Sequence, residues 1–281
     1  MIKQKLLQII ETNKNTGNAL FVRTLLKEAL QNYILNFVYD DLTYKKLIFT
    51  GGTCLRKIYG LPRLSEDLDF DFLETFNNKM FAQQVKDYFN KELQYKDLET
   101  KISLNNNIIF FKFPLLSEIG FSSNLSQEVL FVRCDFSKEA MGIFKTEVNS
   151  ISTNEFSFFA LSYDLSTLFA NKIIAFLSRE FFKGASQTIP FKGRDIFDLI
   201  WFIEQSAKKG FSLQPYWQRI FKGLNLKSKD EVIEALQNKI KKIDKKSVYS
   251  DLLPFISSYD TLQNFTDNFV KIFEDKFNYF R

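Results

Sequence analysis

The stretch GGTCLRKIYGLPRLSEDLDFDF, from Gly51 to Phe72, decides the fold. Its last six residues alternate acidic and large apolar side chains: Asp67, Asp69 and Asp71 against Leu68, Phe70 and Phe72. Residues two apart on a β-strand share a face. The spacing therefore predicts a strand whose apolar set enters the core while its carboxylates line the other side. Like charges so placed repel, and the arrangement costs stability unless a cation or hydrogen-bond donors meet them. Asp71 is expected to be solvated or salt-bridged. Upstream, LIFT (Leu47 to Thr50) reads as a short strand broken by Gly51-Gly52. A helix, TCLRKIY, follows, with Gly60 as its C-terminal cap and Pro62 just beyond. Such a turn leaves backbone N–H groups open at a helix N-terminus, where a phosphate is welcome.

The rest of the chain fits around this unit. LLQII and ALFVRTLLKEALQNYILNFVYD read as helices, the second with Phe21, Leu25, Ala29, Tyr33 and Phe37 recurring every four residues. FAQQVKDYFNKEL (Phe81 to Leu93) is an amphipathic helix. NNIIFFKFPL and QEVLFVRCDFSK read as strands separated by the polar loop SSNLSQ. On the later strand Leu130, Val132, Cys134 and Phe136 face one way, and Phe131, Arg133 and Asp135 the other. Asp135 is thereby placed to join Asp67 and Asp69. Beyond about Ile151 the character changes to long helices, and no internal repeat or low-complexity linker appears. The expected class is α+β: residues 1–153 form an α/β domain in which helices flank a mixed sheet, and residues 154–281 form a helical domain.

Composition narrows the chemistry. With 281 residues the chain has room for one large domain or two modest ones, and 45% hydrophobic with 25% charged residues is ordinary for a soluble protein. Its 33 Phe point to cores filled by large rings. No apolar run approaches the roughly 20 residues of a membrane span, and MIKQKLLQIIETNKN lacks a secretory apolar region, so a cytoplasmic protein without a membrane partner is expected. Two cysteines, Cys54 and Cys134, exclude a disulfide framework and a Cys-rich zinc site. The absence of His removes Ser-His-Asp and Cys-His catalysis, His-ligated zinc and histidine phosphotransfer. Carboxylates, Lys, Arg, hydroxyls and a hard metal ion remain. A net charge of +5 is a mild bias toward anionic partners.

Two or three clustered carboxylates suit Mg²⁺ or Mn²⁺, with water and substrate phosphates completing the coordination. Asp67, Asp69 and Asp135 form the candidate metal set, and the glycine turn would hold the outer phosphates of a nucleoside triphosphate. The plain alternative is a solvated strand face beside an ordinary turn. Finding both features in order after a strand, with a third acid available, favours metal and nucleotide.

The same stretch resembles the first motif of the AbiEii/AbiGii-type nucleotidyltransferase toxins, within the DNA polymerase β-like superfamily. Their pattern is a strand, Gly-Gly-Thr, a Leu-Arg helix, then an Arg, a Ser and an Asp-x-Asp strand. Here those positions are Gly51, Gly52, Thr53, Leu55, Arg56, Arg63, Ser65, Asp67 and Asp69. Many superfamily relatives carry Gly-Ser where this chain has Gly52-Thr53, which leaves open whether the Thr53 hydroxyl or backbone groups alone touch phosphate.

In the helical half, Ser162 to Phe182 reads as one helix, apolar nearly all round, with Lys172 at its middle. Lys172 is either a snorkelling surface lysine or an ammonium aimed at nucleotide phosphate, and Arg179 would extend a basic strip along the same face. In FKGRDIFDLIWFI, Asp195 could cap a helix and Arg194 could pair with Asp198. The toxin family shows a helix with a central Lys followed some twenty residues later by Arg-Asp-x-x-Asp-Leu. The resemblance, which spans Leu47 to Ile203, implies phosphate binding by Lys172 and catalysis or nucleotide positioning by Asp195, with Asp198 as the alternative acid. The run Lys239, Lys241, Lys242, Lys245, Lys246 reads as a solvated face or a contact to nucleic-acid phosphates. Phe265, Phe269, Phe273 and Phe277 read as core or partner interface.

The resemblance implies transfer of a nucleoside monophosphate from an NTP to an acceptor hydroxyl. Asp67 and Asp69 would hold the metal, and Asp135 would be third ligand or base. Gly51, Gly52, Thr53, Arg56, Ser65 and Lys172 would bind the nucleotide. It implies the toxin of a toxin–antitoxin or phage-defence pair, with an antitoxin partner and tRNA 3′ ends, or other RNA, as leading acceptor. Competing readings are transfer to a protein or small-molecule hydroxyl, a catalytically inactive nucleotide-binding module, and a metal-dependent nuclease.

Overall fold

A computed structural model describes residues 2–103, 105, 107–121, 129–179, 181–183, 187–189, 191–207 and 213–277. The chain forms two compact units: Met1–Ala140 with Thr146–Ser162, and Met141–Lys145 with Tyr163–Arg281. The loop SSNLSQ lies outside the described residues.

The first unit begins with helices α1 (Ile2–Asn13) and α2 (Ala19–Asp40). Asn18 starts α2 by accepting the Phe21 N–H at 3.0 Å, and Leu26, Leu30, Ile34, Leu35 and Val38 are fully buried along it. Strand β1 (Ile48–Thr50) turns directly into α3 (Gly51–Tyr59), which Gly60 ends in the left-handed conformation, as the sequence predicts. Next come β2 (Asp67–Phe72), α4 (Asn78–Lys91), β3 (Glu99–Ile102), β4 (Ile108–Phe113), β5 (Leu130–Lys138), β6 (Thr146–Ser152) and β7 (Ser157–Tyr163). Among the described residues these strands form one seven-stranded mixed sheet, ordered β3-β4-β5-β2-β1-β7-β6. β2 runs antiparallel to β1 and parallel to β5, which puts two strands far apart in sequence side by side.

The register gathers several of the phenylalanines into one cluster. Phe49, Phe70 and Phe136 lie abreast on β1, β2 and β5, and both neighbouring ring pairs stack at 5.6 Å. Phe76 and Phe81 extend the cluster, their centroids 4.4 and 5.1 Å from Phe136. Leu68 and Phe70 enter the core as expected, whereas Phe72 is only half-buried, against Phe76.

Strands β6 and β7 depart from the sequence reading, which ran from Ile151 straight into helices. TEVNSIS is too polar to alternate cleanly, because β6 lies at the sheet's edge with Ile151 as its buried residue. The SFFALSY strand runs without a break into the next helix, so Ser162 and Tyr163 belong to β7 rather than to a helical first turn.

In the second unit α5 spans Leu165–Ser178, shorter at both ends than the predicted helix. Asp164 caps it by accepting the Thr167 N–H at 2.9 Å. A hairpin, β8 (Phe181–Lys183) with β9 (Gln187–Ile189), replaces its predicted last turn. Helices α6 (Gly193–Ser206), α7 (Trp217–Leu224), α8 (Lys229–Ile240), α9 (Lys245–Leu252) and α10 (Tyr259–Phe277) follow. Phe269 and Phe273 are buried on α10, and Phe265 packs on Phe197 at 4.9 Å, so these residues are core. The Phe277 side chain lies outside the described residues. Lys239 donates to the carbonyls of Leu177 and Arg179 at 3.2 and 3.3 Å, closing the C-terminal end of α5. No helix among the described residues is long and apolar enough to cross a membrane.

Candidate active site

Parallel pairing of β2 with β5 sets Asp69 directly beside Asp135, and Asp67 beside Arg133. The alternation predicted for β5 is present: Leu130, Val132, Cys134 and Phe136 are buried, while Phe131, Arg133 and Asp135 are half-exposed. Asp67, Asp69 and Asp71 are likewise half-exposed along β2. Antiparallel pairing brings Thr50 opposite Asp69, so the chain enters α3 over that carboxylate. Gly51 makes this possible. Its φ is +77°, and a Cβ there would lie 1.9 Å from Asp69 Oδ2. Only a residue without a side chain can turn left-handed this close to the acid. A Cβ on Gly52 would meet Ser65 Oγ at 2.9 Å and Arg63 Nη2 at 3.0 Å, so the two glycines bring bare backbone against one polar surface. Thr50 caps α3 without a side-chain hydrogen bond, leaving the task of meeting the first N–H groups to a ligand or solvent.

Arg133 Nη2 donates to Asp135 Oδ1 at 2.7 Å. Burial disfavours the guanidinium's charge, but the Asp135 hydrogen bond and the Asp135, Asp67 and Asp69 charges outweigh it and hold its pKa above the ordinary value. The same field reaches inward. Burial, then the charges of Asp135, Asp67 and Asp69, push the Cys134 thiol well up, and burial with Asp69 and Glu147 does so for Cys54. Both cysteines are therefore neutral packing groups.

The remaining motif residues divide by contact. Thr53 is fully buried, and its hydroxyl donates to the Asp67 carbonyl, tying α3 to the acid strand. Ser65 and Arg63 are buried beneath Gly52, and Arg63 Nη1 donates to the Leu64 carbonyl at 2.8 Å. Arg56 sits in the last turn of α3, its Nε on Glu28 at 3.1 Å and its Nη1 on the Leu61 carbonyl at 3.3 Å. These contacts direct Arg56 to Glu28 and the end of its own helix. The sequence reading assigned no role to Arg133, whose place emerges only when β5 pairs with β2.

In the second unit, Lys172 Nζ lies 2.7 Å from Asp198 Oδ2, and Arg179 Nη1 lies 3.2 Å from Asp195 Oδ2. Two ion pairs thus link α5 to α6. Asp198 is fully buried and Asp195 nearly so, and Asp195 Oδ2 has no aligned hydrogen bond among the described residues. Asp195 is not the cap of α6, a position that Lys192 occupies. Arg194 reaches Asp251 at 3.4 Å and lies over the Phe255 ring at 4.6 Å.

A profile of the family described as "Nucleotidyl transferase AbiEii toxin, Type IV TA system" matches residues 37–268. The chain belongs to this AbiEii family. It is accordingly a nucleotidyltransferase, and the AbiEii family pairs such toxins with an antitoxin. No curated protein sequence matches. Among solved structures, MenT4, a nucleotidyltransferase toxin from Mycobacterium tuberculosis H37Rv, superposes with a TM-score of 0.58 at 12% identity, covering 96% of this chain and 92% of that one. JHP933 from Helicobacter pylori gives a TM-score of 0.48 at 18% identity, over 91% and 92%. The likeness to MenT4 bears on the fold, which is that of a nucleotidyltransferase toxin.

Among the described residues no three acidic side chains already converge on one point. Neighbouring carboxylates at Asp69 and Asp135, with bare Gly51 backbone beside them, are nonetheless the hard oxygen donors of an open site. Mg²⁺ is usually held this way, by one or two carboxylates with phosphate and water completing the shell. The residues fit.

Proposed function

We propose that this AbiEii-family enzyme transfers a nucleoside monophosphate from an NTP to an RNA hydroxyl, with tRNA 3′ ends as the favoured acceptor. Asp67, Asp69 and Asp135 would hold Mg²⁺ or Mn²⁺. The observation that carries the reading is the approach of Gly51 to Asp69, beside the in-register Asp135. It supports a reading in which the backbone of the turn meets phosphate and the neighbouring carboxylates meet a metal.

The acceptor oxygen forms a bond to the α-phosphorus, the bond from that phosphorus to the bridging oxygen breaks, and pyrophosphate leaves. The acceptor proton passes to solvent. A divalent ion, when bound, polarises the phosphate oxygens and lowers the pKa of the acceptor hydroxyl. The N–H groups of Gly51, Gly52 and Thr53 hold the departing phosphates at the N-terminus of α3. Thr53 and Ser65 buttress that turn. In the helical unit, Lys172 binds phosphate and Asp195 positions the nucleotide, each exchanging its present ion-pair partner for substrate. A net charge of +5 and exposed Lys241, Lys242 and Lys246 support a polyanionic acceptor. A cytoplasmic toxin acting in phage defence is consistent with these substrates.

The test is incubation of the protein with Mg²⁺, total tRNA and each α-³²P-labelled NTP in turn, beside Asp69→Ala. Label on tRNA with one NTP, and none with the variant, is the expected result. Label on the protein itself would move the acceptor to a protein hydroxyl, and RNA shortening would identify a nuclease.

A further inference from the structure

Arg133 stands on the acid face and has no part in the reaction proposed above. Register places Asp67 on one side of it, on β2, and Phe110 on the other, on β4. One arm of its guanidinium holds Asp135 at 2.7 Å, while Nε is buried with no hydrogen-bond partner among the described residues. A guanidinium carries five N–H donors and does not lose its proton at physiological pH. Arg133 is therefore a permanent cation, tied by one arm, with a side chain still 36% exposed.

We infer that Arg133 is the resident counter-cation of the acid row, and that it competes with a divalent ion for Asp135. The inference rests on the metal reading of Asp67, Asp69 and Asp135. Arg133 engages Oδ1, and an ion on either Asp135 oxygen would bring a second cation close to the guanidinium, so the two repel and compete. Exposure gives the Arg133 side chain room to swing toward solvent as the ion enters. Because the guanidinium keeps its charge, the competition persists across the pH range in which the enzyme works. Arg133 is a positioning residue: it keeps the metal-free acid row neutralised and weakens divalent binding until phosphate oxygens arrive with the ion.

Mn²⁺ titration calorimetry on the full chain, without nucleotide, tests this with wild type, Arg133→Gln, Arg133→Lys and Asp69→Asn. Arg133→Gln is expected to bind Mn²⁺ about tenfold more tightly than wild type, the effect of deleting one charge next to a divalent ion. Arg133→Lys, which restores the charge, should return to within about threefold of wild type, and Asp69→Asn should abolish binding. If Arg133→Gln does not fold without the ion, Arg133→Met, which also deletes the charge but keeps the aliphatic stem, takes its place in the same titration with the same tenfold tightening expected. Unchanged or weaker binding by Arg133→Gln, with Asp69→Asn still silent, overturns the role of Arg133 and leaves the metal site standing. Absence of Mn²⁺ binding in wild type, or binding indifferent to Asp69→Asn, overturns the metal reading and the inference with it.

Discussion

The two sets of motif charges in this protein are assembled by different rules. On the sheet, parallel register places like charges together, Asp69 beside Asp135. Between α5 and α6, each acid is set against a base, Asp198 against Lys172 and Asp195 against Arg179. The acids of the sheet are half-exposed, whereas those of the helices are buried. Arg133 offsets part of that repulsion through Asp135, and the row stays accessible to solvent. Buried pairs instead have a structural use whether or not a substrate ever borrows one partner.

Asp69→Ala should separate the two rules most sharply. Transfer is expected to fall on the order of 10⁴-fold while the protein stays folded, because the proposed metal site would lose a ligand from a face that does not hold the core. Labelled-NTP transfer with parallel urea unfolding measures both quantities. A variant that unfolds as readily as it loses activity would place Asp69 with the structural acids.

Asp198→Ala is the mirror image. It leaves Lys172 half of a broken buried pair, and stability should drop by about 3 kcal/mol. The double variant Lys172→Met/Asp198→Leu should recover most of that loss in the same urea experiment. If Asp198→Ala instead keeps its stability and loses transfer, Asp198 takes the catalytic place assigned to Asp195.

Gly51→Ala tests the feature that links turn and acid. Positive φ alone costs about 1–2 kcal/mol for a residue with a side chain, and the new methyl would have to push Asp69 aside. Transfer should fall by roughly 100-fold with a modest drop in melting temperature. Thr53→Val has the smallest effect. Losing the bond to the Asp67 carbonyl should cost about 1 kcal/mol, with transfer within a few-fold of wild type. A much larger loss of transfer would mean that the hydroxyl touches phosphate after all.

The parts of this site that were readable from sequence are those whose geometry is local. A period of two put Asp67 and Asp69 on one face, and the Gly-Gly break placed a helix start just ahead of them. Asp135 was readable only as a strand position, because its place beside Asp69 depends on a parallel pairing that no local pattern encodes. Arg133 was visible on the same alternation as Asp135, yet its place beside Asp67 on β2 was not. The ion pairs of the helical unit were out of reach for a related reason: which acid meets Lys172 depends on the rotation of α6 against α5. Strands β6 and β7 were lost because an edge strand can be polar and a strand can run straight into a helix cap. Arg56 shows the converse, a motif position whose contacts run to Glu28.

The place of β5 between β2 and β4 also fixes an order of assembly during synthesis. Gly51 and Asp69 leave the ribosome well before Asp135, and β7, which flanks β1, is made later still. Parallel strands distant in sequence pair slowly, since the loop between them must close first. A nascent chain that stops short of β5 has the glycine turn but lacks the facing pair of carboxylates. On the proposed reading the chain is therefore unarmed at least through the first half of its own translation, since Asp135 and, later still, Lys172 and Asp195 have yet to be made.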